Sequence, residues 1–373
     1  MEPPACGSLY CELNTVPHSK VCVAIVTCNS ERYIRRCLEA VLQQDGVSLE
    51  TVVVDNASTD GTAEILREFG ARIRTIWNQR NAGFSQAQNQ AVRSSASDWV
   101  LTLNPDALLL PGFIRTLVDA GEAHPGAGTV CGKLLSIGTG FQPLAERRID
   151  STGIFFTPAM RHFDRGWHQP DIPYFENMEY VFGASAAAAL YRRTMIDDVA
   201  VDGHFFDPDF FAYREDADVA WRALLLGWSC IYTPAAVAYH VRTMVPGKRR
   251  SVPAVINMHS VKNRFLMRVK NATGGLYRRY WLPMTVRDLM VAAGAVLAEP
   301  TSLPAFWHIA RCLPRALRQR RAIMSRRRLS DAEMASWFNY IPAARPVHPV
   351  LDRDSSAWAA RRAAPNQATV PLA

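Results

Sequence analysis

A carboxylate interrupts the apolar stretch VLTLNPDALLLPG, residues 100–112. Apolar residues run up to Leu103 and resume at Ala107, and Asn104-Pro105-Asp106 stands between them. An amide and a carboxylate at the end of a core strand can contact a ligand, although a Pro-containing turn that only closes the strand uses the same residue types. Asp106 is therefore the first candidate for a functional residue.

A second acidic group, Glu215-Asp216-Ala217-Asp218, begins a helix pattern. The helix dipole stabilises an acid at this position by about 0.3–1 kcal/mol, so a purely structural role stays open. The preceding residues 204–213 are rich in aromatic side chains, which would place apolar groups around the acids. A carboxylate in such surroundings can serve as a general base. His240 ends the extended piece AVAYH and is either structural or a ligand.

Strands that alternate with helices must position these residues. Short β-branched runs predict strands at 21–27, 51–55, 73–77 and 99–103, and apolar stripes predict helices at 34–42, 63–69 and 86–93. This alternation predicts a right-handed, mostly parallel α/β sheet, in which ligands bind beyond the carboxyl ends of the strands. Polar residues follow all four strands and are expected to meet in one crevice: Thr27, Asn29, Asp55, Asn56, residues 78–81, Asn104 and Asp106.

The pattern changes after about residue 130. Short apolar pieces at 130–137, 149–156 and 180–191 predict mixed or antiparallel strands, followed by a helix at 217–226 and two extended pieces at 230–232 and 237–240. From about 254 the pattern is helical, and from 341 it is rich in Ala, Pro and Arg and predicted to be frayed. No Gly-x-Gly-x-x-Gly follows the first strand, so a dinucleotide-binding domain is not expected.

Composition allows a large folded core. Of the 373 residues 49% are hydrophobic, enough for one large domain or two ordinary ones. The net charge of +8 is concentrated, because residues 311–328 contain eight arginines and no acid. Such a run is a solvated helix face or a surface for an anionic partner, with membrane lipid favoured over nucleic acid. No nucleic-acid-binding signature accompanies it, so nucleic acid is not an expected partner.

Cysteine usage and the N-terminus favour an intracellular location. The eight cysteines form no Cys-x-x-Cys pair, which indicates a reducing compartment and argues against a zinc site. The first residues lack the basic and apolar regions of a signal peptide, and no run of eighteen apolar residues predicts a spanning helix. We expect a cytoplasmic protein.

Six short motifs together resemble family 2 glycosyltransferases, and within them the rhamnosyltransferase-type branch. In chain order, over roughly residues 20–245, they are VAIVTCNSERYIRRCLEAVLQQ, VVVDNASTDGT, NAGFSQAQNQ, LNPDALL, FFAYREDADVAWRALLLGW and AYH. The resemblance implies a GT-A fold, which is a Rossmann-like mixed sheet flanked by helices, here with a C-terminal helical extension. It also implies a nucleotide-diphosphate sugar donor, Mg²⁺ or Mn²⁺, and inverting transfer to a hydroxyl. The expected organisation is an N-terminal segment at 1–19, the GT-A domain at 20–245, a basic helical region at 246–340 and a flexible tail at 341–373.

The resemblance assigns roles to the metal and catalytic candidates. The family usually has Asp-x-Asp where this chain has Asn104-Pro105-Asp106, so Asp106 is an expected metal ligand and His240 a second one. Asp216 matches the general base, and Glu215 is expected to orient the acceptor or the base. A helix N-terminus is expected to keep the pKa of Asp216 low.

Other residues are expected to bind the nucleotide sugar. Asp55 matches the acid that recognises a uracil or thymine base, and Asn104 can donate a hydrogen bond to ribose or phosphate. The complete set expected to bind the nucleotide sugar is Thr27, Asn29, Asp55, Asn56, Arg80, Asn81, Gly83 and Asn104.

The expected function is sugar transfer in cell-envelope glycan synthesis. The resemblance suggests rhamnose from dTDP-rhamnose as one donor, and a lipid-linked or polysaccharide acceptor. The departure at Asn104 leaves an alternative, a catalytically silent nucleotide-sugar-binding or scaffold protein. Residues 262–328 mix aromatic and aliphatic side chains with arginines. They are expected either to lie on an anionic membrane at the inner face of the cell membrane or to pack on the catalytic core.

Overall fold

The computed structural model describes residues 19–242 and 253–339, in which an α/β domain is followed by helices. The strands are β1 (Lys20–Thr27), β2 (Ser48–Asp55), β3 (Arg74–Trp77), β4 (Trp99–Leu103), β5 (Ala107–Leu109), β6 (Ala127–Ser136), β7 (Ile149–Ser151), β8 (Ile154–Phe156), β9 (His162–Asp164), β10 (Glu179–Val181), β11 (Ala188–Arg192) and β12 (Ser229–His240). The helices are α1 (Ile34–Leu42), α2 (Thr62–Phe69), α3 (Phe84–Arg93), α4 (Phe113–Ala123), α5 (Arg193–Val199), α6 (Glu215–Leu225), α7 (Ala254–Asn271), α8 (Gly274–Leu297), α9 (Pro304–Met324) and α10 (Asp331–Ser336). The predicted α/β domain with a C-terminal helical extension is confirmed.

One mixed sheet carries most of the strands, in the order β10-β12-β6-β11-β4-β1-β2-β3, with β5 beside β12 and β7 beside β6. Strands β1 to β4 are parallel, and the chain order reverses between β1 and β4. Strand β11 runs antiparallel to both β4 and β6, and β12 is parallel to β6. The carboxyl ends of β1, β2, β4 and β12 therefore lie at one edge of the sheet, where an open α/β sheet binds its ligand.

Both faces of the sheet are buried, which explains why its strands are continuously apolar. Val21, Val23 and Ile25 of β1 pack with α1 and α4 on one face. Cys22 and Ala24 pack with α3 and α5 on the other face. Side chains alternate between the faces of a strand, so both halves of the alternation must be apolar when helices cover both faces.

The two extended pieces predicted at 230–232 and 237–240 are one strand, β12. Its register against β6 shifts between Tyr232 and Val237. Pro234 lies in this interval, and a proline cannot donate to the sheet ladder, so the strand bulges there rather than ends. The piece at 149–156 is instead divided between β7, in the main sheet, and β8, which pairs with β9.

The C-terminal helices pack on the α/β domain. Leu276 and Tyr280 of α8 and Trp337 share a core with Trp221 of α6. The predicted alternative of a helical region packed on the catalytic core is therefore confirmed for the buried face of these helices. Several arginines of the basic run are part of this packing; Arg320 donates to the Val269 and Ala272 carbonyls, and Arg326 to Asp198.

Within 19–242 and 253–339 we find no single helix that is long and apolar enough to cross a bilayer. Gly274–Leu297 and Pro300–Met324 pass the same criterion only as a pair, bent by 115°. The predicted frayed tail from 341 and the N-terminal segment up to residue 18 lie outside the described residues.

Candidate active site

Residues from several strand ends meet around one cavity of about 560 Å³. It opens at the carboxyl edge of the sheet, where the sequence placed a crevice. Nine of the predicted site residues line it: Asn29, Asn56, Asn81, Gly83, Asn104, Asp106, Glu215, Asp216 and His240.

A buried carboxylate and a buried imidazole lie side by side in this cavity. Asp106 Oδ1 is 3.3 Å from His240 Nε2, and the Asn104 side-chain amide is also 3.3 Å from Nε2. His240 ends β12 opposite Ala107, which is why residues 134 positions apart in the chain become neighbours. The other ring nitrogen, Nδ1, is 2.8 Å from Asp150 Oδ2.

This pair fits two ligands of a divalent cation. Adjacent ligands of an octahedral Mg²⁺ or Mn²⁺ ion are separated by about 3 Å, close to the distance observed here. A carboxylate on the far nitrogen orients a metal-binding histidine in the same way as Asp150 orients His240. Among the residues the structure describes, we find no group of three or more His, Cys, Asp or Glu side chains that could hold a metal. The phosphates of a bound donor and water would have to complete the coordination.

The charges around His240 favour its protonated form in the absence of a metal. Burial alone lowers the pKa of this imidazole, but the charge of Asp150 and hydrogen bonds with Asp106 and Asp150 raise it to about 10. Burial raises the pKa of Asp106, and the contact with His240 brings it below its usual value. A cation must therefore displace a proton from His240 when it binds.

The acids of α6 are the second chemical group in the cavity. Asp216 accepts hydrogen bonds from the backbone N–H of Ala217 at 2.7 Å and of Ala186 at 3.3 Å. Burial and the charge of Asp164 nevertheless raise the pKa of Asp216 to about 6. The expectation that the helix N-terminus keeps this pKa low is therefore wrong, because desolvation and a nearby carboxylate outweigh the helix dipole.

Glu215 lies beside Asp216 and is buried. Burial and the neighbouring charge of Asp216 raise its pKa well above the usual value. Its Oε2 atom has no hydrogen-bond partner among the described residues. The pKa of Glu215 is therefore shifted towards the protonated form, while a pKa of about 6 leaves Asp216 mostly ionised at neutral pH.

Comparisons with known proteins identify the family and the fold. Residues 22–200 match the sequence model of glycosyl transferase family 2. This region is a family 2 glycosyltransferase domain. The chain is 26% identical over 246 residues to an N-acetylglucosaminyl-diphospho-decaprenol L-rhamnosyltransferase of Mycobacterium tuberculosis, which covers 61% of this chain and 77% of that protein. It is also 36% identical over 102 residues to chondroitin synthase of Escherichia coli, covering 26% of this chain and 15% of that one.

Two solved structures show the fold of this glycosyltransferase. S. aureus TarS 1-349 in complex with UDP-GlcNAc matches with a TM-score of 0.50 and 16% identity, over 85% of this chain and 90% of that one. GalNAc-T7 with UDP, GalNAc and Mn²⁺ matches with a TM-score of 0.50 and 12% identity, over 68% and 49%. The predicted GT-A fold and the rhamnosyltransferase-like sequence of the glycosyltransferase are both confirmed.

In the glycosyltransferase a strained loop, residues 211–214, leads from the cavity into α6. Phe211, Tyr213 and Arg214 have φ angles of 63°, 72° and 71°, in the left-handed region that residues with side chains rarely adopt. Each such residue costs on the order of 1–3 kcal/mol and persists only where neighbouring groups hold it in place. The side-chain nitrogen of Asn263, on α7, lies within 2.9 Å of the carbonyl oxygens of Phe210, Ala212 and Tyr213. A residue outside the α/β domain thus fixes the approach to Asp216.

Asp218, the third acid of this helix, has a structural role. It is fully buried, 3.0 Å from Arg222 and 2.9 Å from Lys270, and it accepts a hydrogen bond from Asn271. Lys270 also pairs with Asp207. These contacts attach α7 to α6 and do not reach the cavity wall.

Three predicted nucleotide-binding residues lie outside the cavity wall. Thr27 and Asp55 are buried and face each other at the ends of β1 and β2. The Asp55 carboxylate accepts hydrogen bonds from the backbone and the hydroxyl of Ser58, as in an Asx-turn. Arg80 is exposed in the loop before α3. Their contacts with a base, ribose or phosphate stay predictions.

The loop before α3 is held by side-chain amides. Asn56 donates to Asn81 and to the Gly83 carbonyl, and it accepts from Asn78. Gly83 has a φ of 83°, and a Cβ at this position would overlap the ring and carbonyl of Phe211. Gly83 is therefore required by the close approach of this loop to the strained loop.

Sequence reasoning missed the partners of His240. Arg242 contacts both oxygens of Asp150, at 2.6 and 3.2 Å, and lies 2.7 Å from Asp164. Asp164, His162 and Arg242 line the cavity. No motif marks these residues, because Asp150 and Asp164 come from short strands that meet β12 only after folding. A lone buried acid in a predicted strand, such as Asp150, is the one available signal.

Proposed function

We propose that this glycosyltransferase moves a sugar from a nucleotide-diphosphate donor to a hydroxyl of a lipid-linked or polysaccharide acceptor, with inversion at the anomeric carbon. The observation that carries the proposal is the position of Asp216 in the same cavity as the Asp106–His240 pair. The Asp106–His240 pair can hold a cation beside a departing diphosphate. Asp216 can accept the proton of an attacking hydroxyl. The name of the mycobacterial relative supports rhamnose and a lipid-linked acceptor, so dTDP-rhamnose is the first donor to test.

The donor end of the site is proposed to bind the diphosphate. Cleavage of the glycosidic bond leaves negative charge on that group, and a divalent cation, Mg²⁺ or Mn²⁺, supplies Lewis-acid neutralisation when bound. Asp106 and His240 would hold the cation. The side-chain amide of Asn104 would donate to ribose or phosphate. Asn29, Asn56, Asn81 and Gly83 lie on the wall next to β1 and β2, where the nucleoside is proposed to lie.

Asp216 is proposed to act as the general base. A pKa of about 6 leaves it largely ionised at neutral pH and close to the operating pH, where proton transfer is most effective. Its carboxylate would take the acceptor proton while the hydroxyl attacks the anomeric carbon from the side opposite the diphosphate, which gives inversion. Burial and the charge of Asp216 raise the pKa of Glu215 and so favour its protonated form, which can donate a hydrogen bond that orients the acceptor or Asp216.

Two measurements separate this proposal from a catalytically silent binding protein. Thermal-shift assays with a panel of nucleotide sugars, with and without Mn²⁺, should reveal a donor that stabilises the fold in a metal-dependent way. That donor should then be hydrolysed slowly by the protein without an acceptor, with release of the nucleoside diphosphate. Binding with neither hydrolysis nor transfer to any lipid-linked or glycan acceptor would favour the silent protein.

The synthesis of a cell-envelope glycan is proposed as the context. The support is the mycobacterial relative, which is named an N-acetylglucosaminyl-diphospho-decaprenol L-rhamnosyltransferase. The inner face of the cell membrane stays the predicted location, and the boundary at residue 245 stays the proposed limit of the catalytic domain.

A further inference from the structure

We propose that the hairpin of α8 and α9 docks on an anionic membrane surface and inserts its apolar side chains into the interfacial layer of one leaflet. The inference rests on the proposed function for its purpose, which is access to a lipid-linked acceptor. The docking face is defined by its exposed apolar side chains: Tyr277, Trp281, Leu282, Val286, Leu289, Met290, Val296, Leu297, Leu303, Phe306, Trp307 and Leu317.

Exposed apolar side chains are concentrated on this hairpin. Of the sixteen large hydrophobic side chains that are exposed in the described part of the chain, twelve belong to the docking face. On α8 they recur at Leu282, Val286 and Leu289 and then at Val296, as on one helical stripe. Leu297, at the end of α8, is 83% exposed. Single exposed apolar residues are ordinary, but a contiguous patch marks a binding surface.

The charges around the docking face identify the partner. In the described stretch 274–325, every exposed ionic side chain is an arginine: Arg278, Arg279, Arg311, Arg318 and Arg321. Asp288 is half-buried and pairs with Arg264 and Arg268. Apolar side chains bordered by cations suit a bilayer with anionic headgroups, because the acyl region takes the former and the headgroups attract the latter. A second copy of this face would instead bring like charges together.

The shape of the hairpin fits a shallow insertion. Its two helices have the length and composition of a membrane segment only as a pair, and the chain bends by 115° between them. Pro283 and the non-helical backbone of Tyr280 also interrupt the start of α8. The buried side of the hairpin, with Met284 and Ala316, belongs to the protein core. The helices therefore stay attached to the protein and can present only one side to lipid.

The turn between α8 and α9 lies at the cavity end of the helical region. Phe265 of α7 packs against Phe306 of α9, and Arg320, further along α9, reaches the carbonyl of Val269, further along α7. The two helices thus run in the same direction, and both begin at the same end. Ile256, in the first turn of α7, lines the cavity. Membrane contact through the turn before α9 would bring the cavity mouth towards acceptors that project from the bilayer.

The test is co-sedimentation of the full chain with vesicles of phosphatidylcholine mixed with phosphatidylglycerol, and with vesicles of phosphatidylcholine alone. The wild-type protein should bind the anionic vesicles at least about tenfold more tightly. The variant Leu297→Glu/Trp307→Glu, called the tip variant, places charge at the inserted turn between α8 and α9. Its affinity for the anionic vesicles should be at least about tenfold lower than that of the wild type. The matched control, Leu144→Glu/Met178→Glu, changes exposed apolar residues outside the docking face and should bind as the wild type does.

Both variants alter exposed residues, so their thermal unfolding should match that of the wild type. Transfer to a water-soluble acceptor analogue should be unchanged in the tip variant, and transfer to the lipid-linked acceptor in vesicles should fall. Equal binding to both vesicle types, or equal binding by wild type and tip variant, would overturn the inference. A concentration-dependent dimer that the tip mutation dissociates, without vesicle binding, would assign the face to a second copy instead. Vesicle binding needs no catalysis, so sedimentation with no transfer would reject the proposed function and leave the docking face intact.

Discussion

Replacing Asp216 by asparagine should separate donor binding from sugar transfer. The substitution keeps the size of the side chain and one oxygen to accept from the N–H of Ala217, but it removes the group proposed to take the acceptor proton. Removal of a general base lowers turnover by about 10²–10⁴-fold. Donor affinity should change little, because the donor is proposed to bind through Asp106, His240 and the amides across the cavity.

The raised pKa predicts a pH profile for the wild type. With a pKa of about 6, Asp216 is ionised in roughly nine molecules of ten at pH 7 and in roughly one of ten at pH 5. Turnover with saturating donor and metal should therefore fall about tenfold between these pH values. An aspartate with an ordinary pKa would lose less than about a tenth of its ionised form over the same range. The residual activity of the asparagine variant should lack this acidic limb.

The same raised pKa predicts that the Asp216→Asn variant is more stable than the wild type at neutral pH. The folded protein holds the Asp216 proton more tightly than the unfolded chain does, so ionisation of this carboxyl opposes folding. The cost is absent below the unfolded pKa of 3.8 and complete above about pH 6. A neutral asparagine avoids it and should raise the free energy of unfolding at pH 7 by ~1–3 kcal/mol, since one pKa unit corresponds to about 1.4 kcal/mol.

Three measurements check this reasoning on one pair of proteins. Single-turnover transfer at a series of pH values gives the profile, donor titration by thermal shift gives the affinity, and urea unfolding at pH 5 and pH 7 gives the stability difference. A collapse of donor affinity in the variant would make Asp216 a binding residue. Normal turnover, or a variant that is less stable at pH 7, would refute the assignment of a half-buried, proton-accepting carboxylate.

The remaining predictions concern the metal ligands and the strained loop. Asp106→Ala should abolish both transfer and Mn²⁺-dependent donor binding while the fold persists by circular dichroism; retained activity would remove Asp106 from the site. Asp150→Asn should weaken the binding of Mn²⁺, because the orientation of His240 is lost. The Mn²⁺ concentration that gives the half-maximal rate should rise by about 10–100-fold. Asn263→Ala should lower the free energy of unfolding by ~1–3 kcal/mol in urea and reduce turnover, because buried carbonyls lose their donor; unchanged turnover would show that the loop keeps its conformation without this amide.

The sequence predicted β1 to β4 and the helices between them because their signals are local. Strand β4 was predicted with its observed bounds, and β1 and α1 to within a residue. Apolar periodicity and polar strand ends depend only on neighbouring residues, so local pattern places Asn104 and Asp106 at a strand end that can bind a ligand. Only the resemblance to family 2 glycosyltransferases joins His240 to them. The sequence pattern divides β12 in two because its pairing with β6 on both sides of the register shift is long-range, which no local pattern reveals.

The electrostatics of the site could not be predicted in the same way. The pKa of Asp216 depends on burial and on Asp164, which lies on β9, and the orientation of His240 depends on Asp150 of β7. Asp164 lies 52 positions from Asp216 in the chain, and Asp150 lies 90 positions from His240. No motif therefore joins either pair. Thr27, Asp55 and Arg80 were assigned from motif position alone; the structure places them outside the lining of the cavity, so their contacts with a nucleotide stay predictions.

The attachment of α7 to α6 has a consequence for how this enzyme matures during synthesis. Asp207 and Asp218 are buried together and share one cation, Lys270, and Asn263 secures the strained loop. Both residues of α7 leave the ribosome after the whole of the α/β domain. A nascent chain that has formed every strand would still lack the cation beside Asp207 and the amide that secures the loop before Asp216, and Asp218 would keep only Arg222 of its two cations. A charge left unpaired in a core is strongly destabilising. Catalytic competence should therefore arrive late in translation, well after the sheet that carries it.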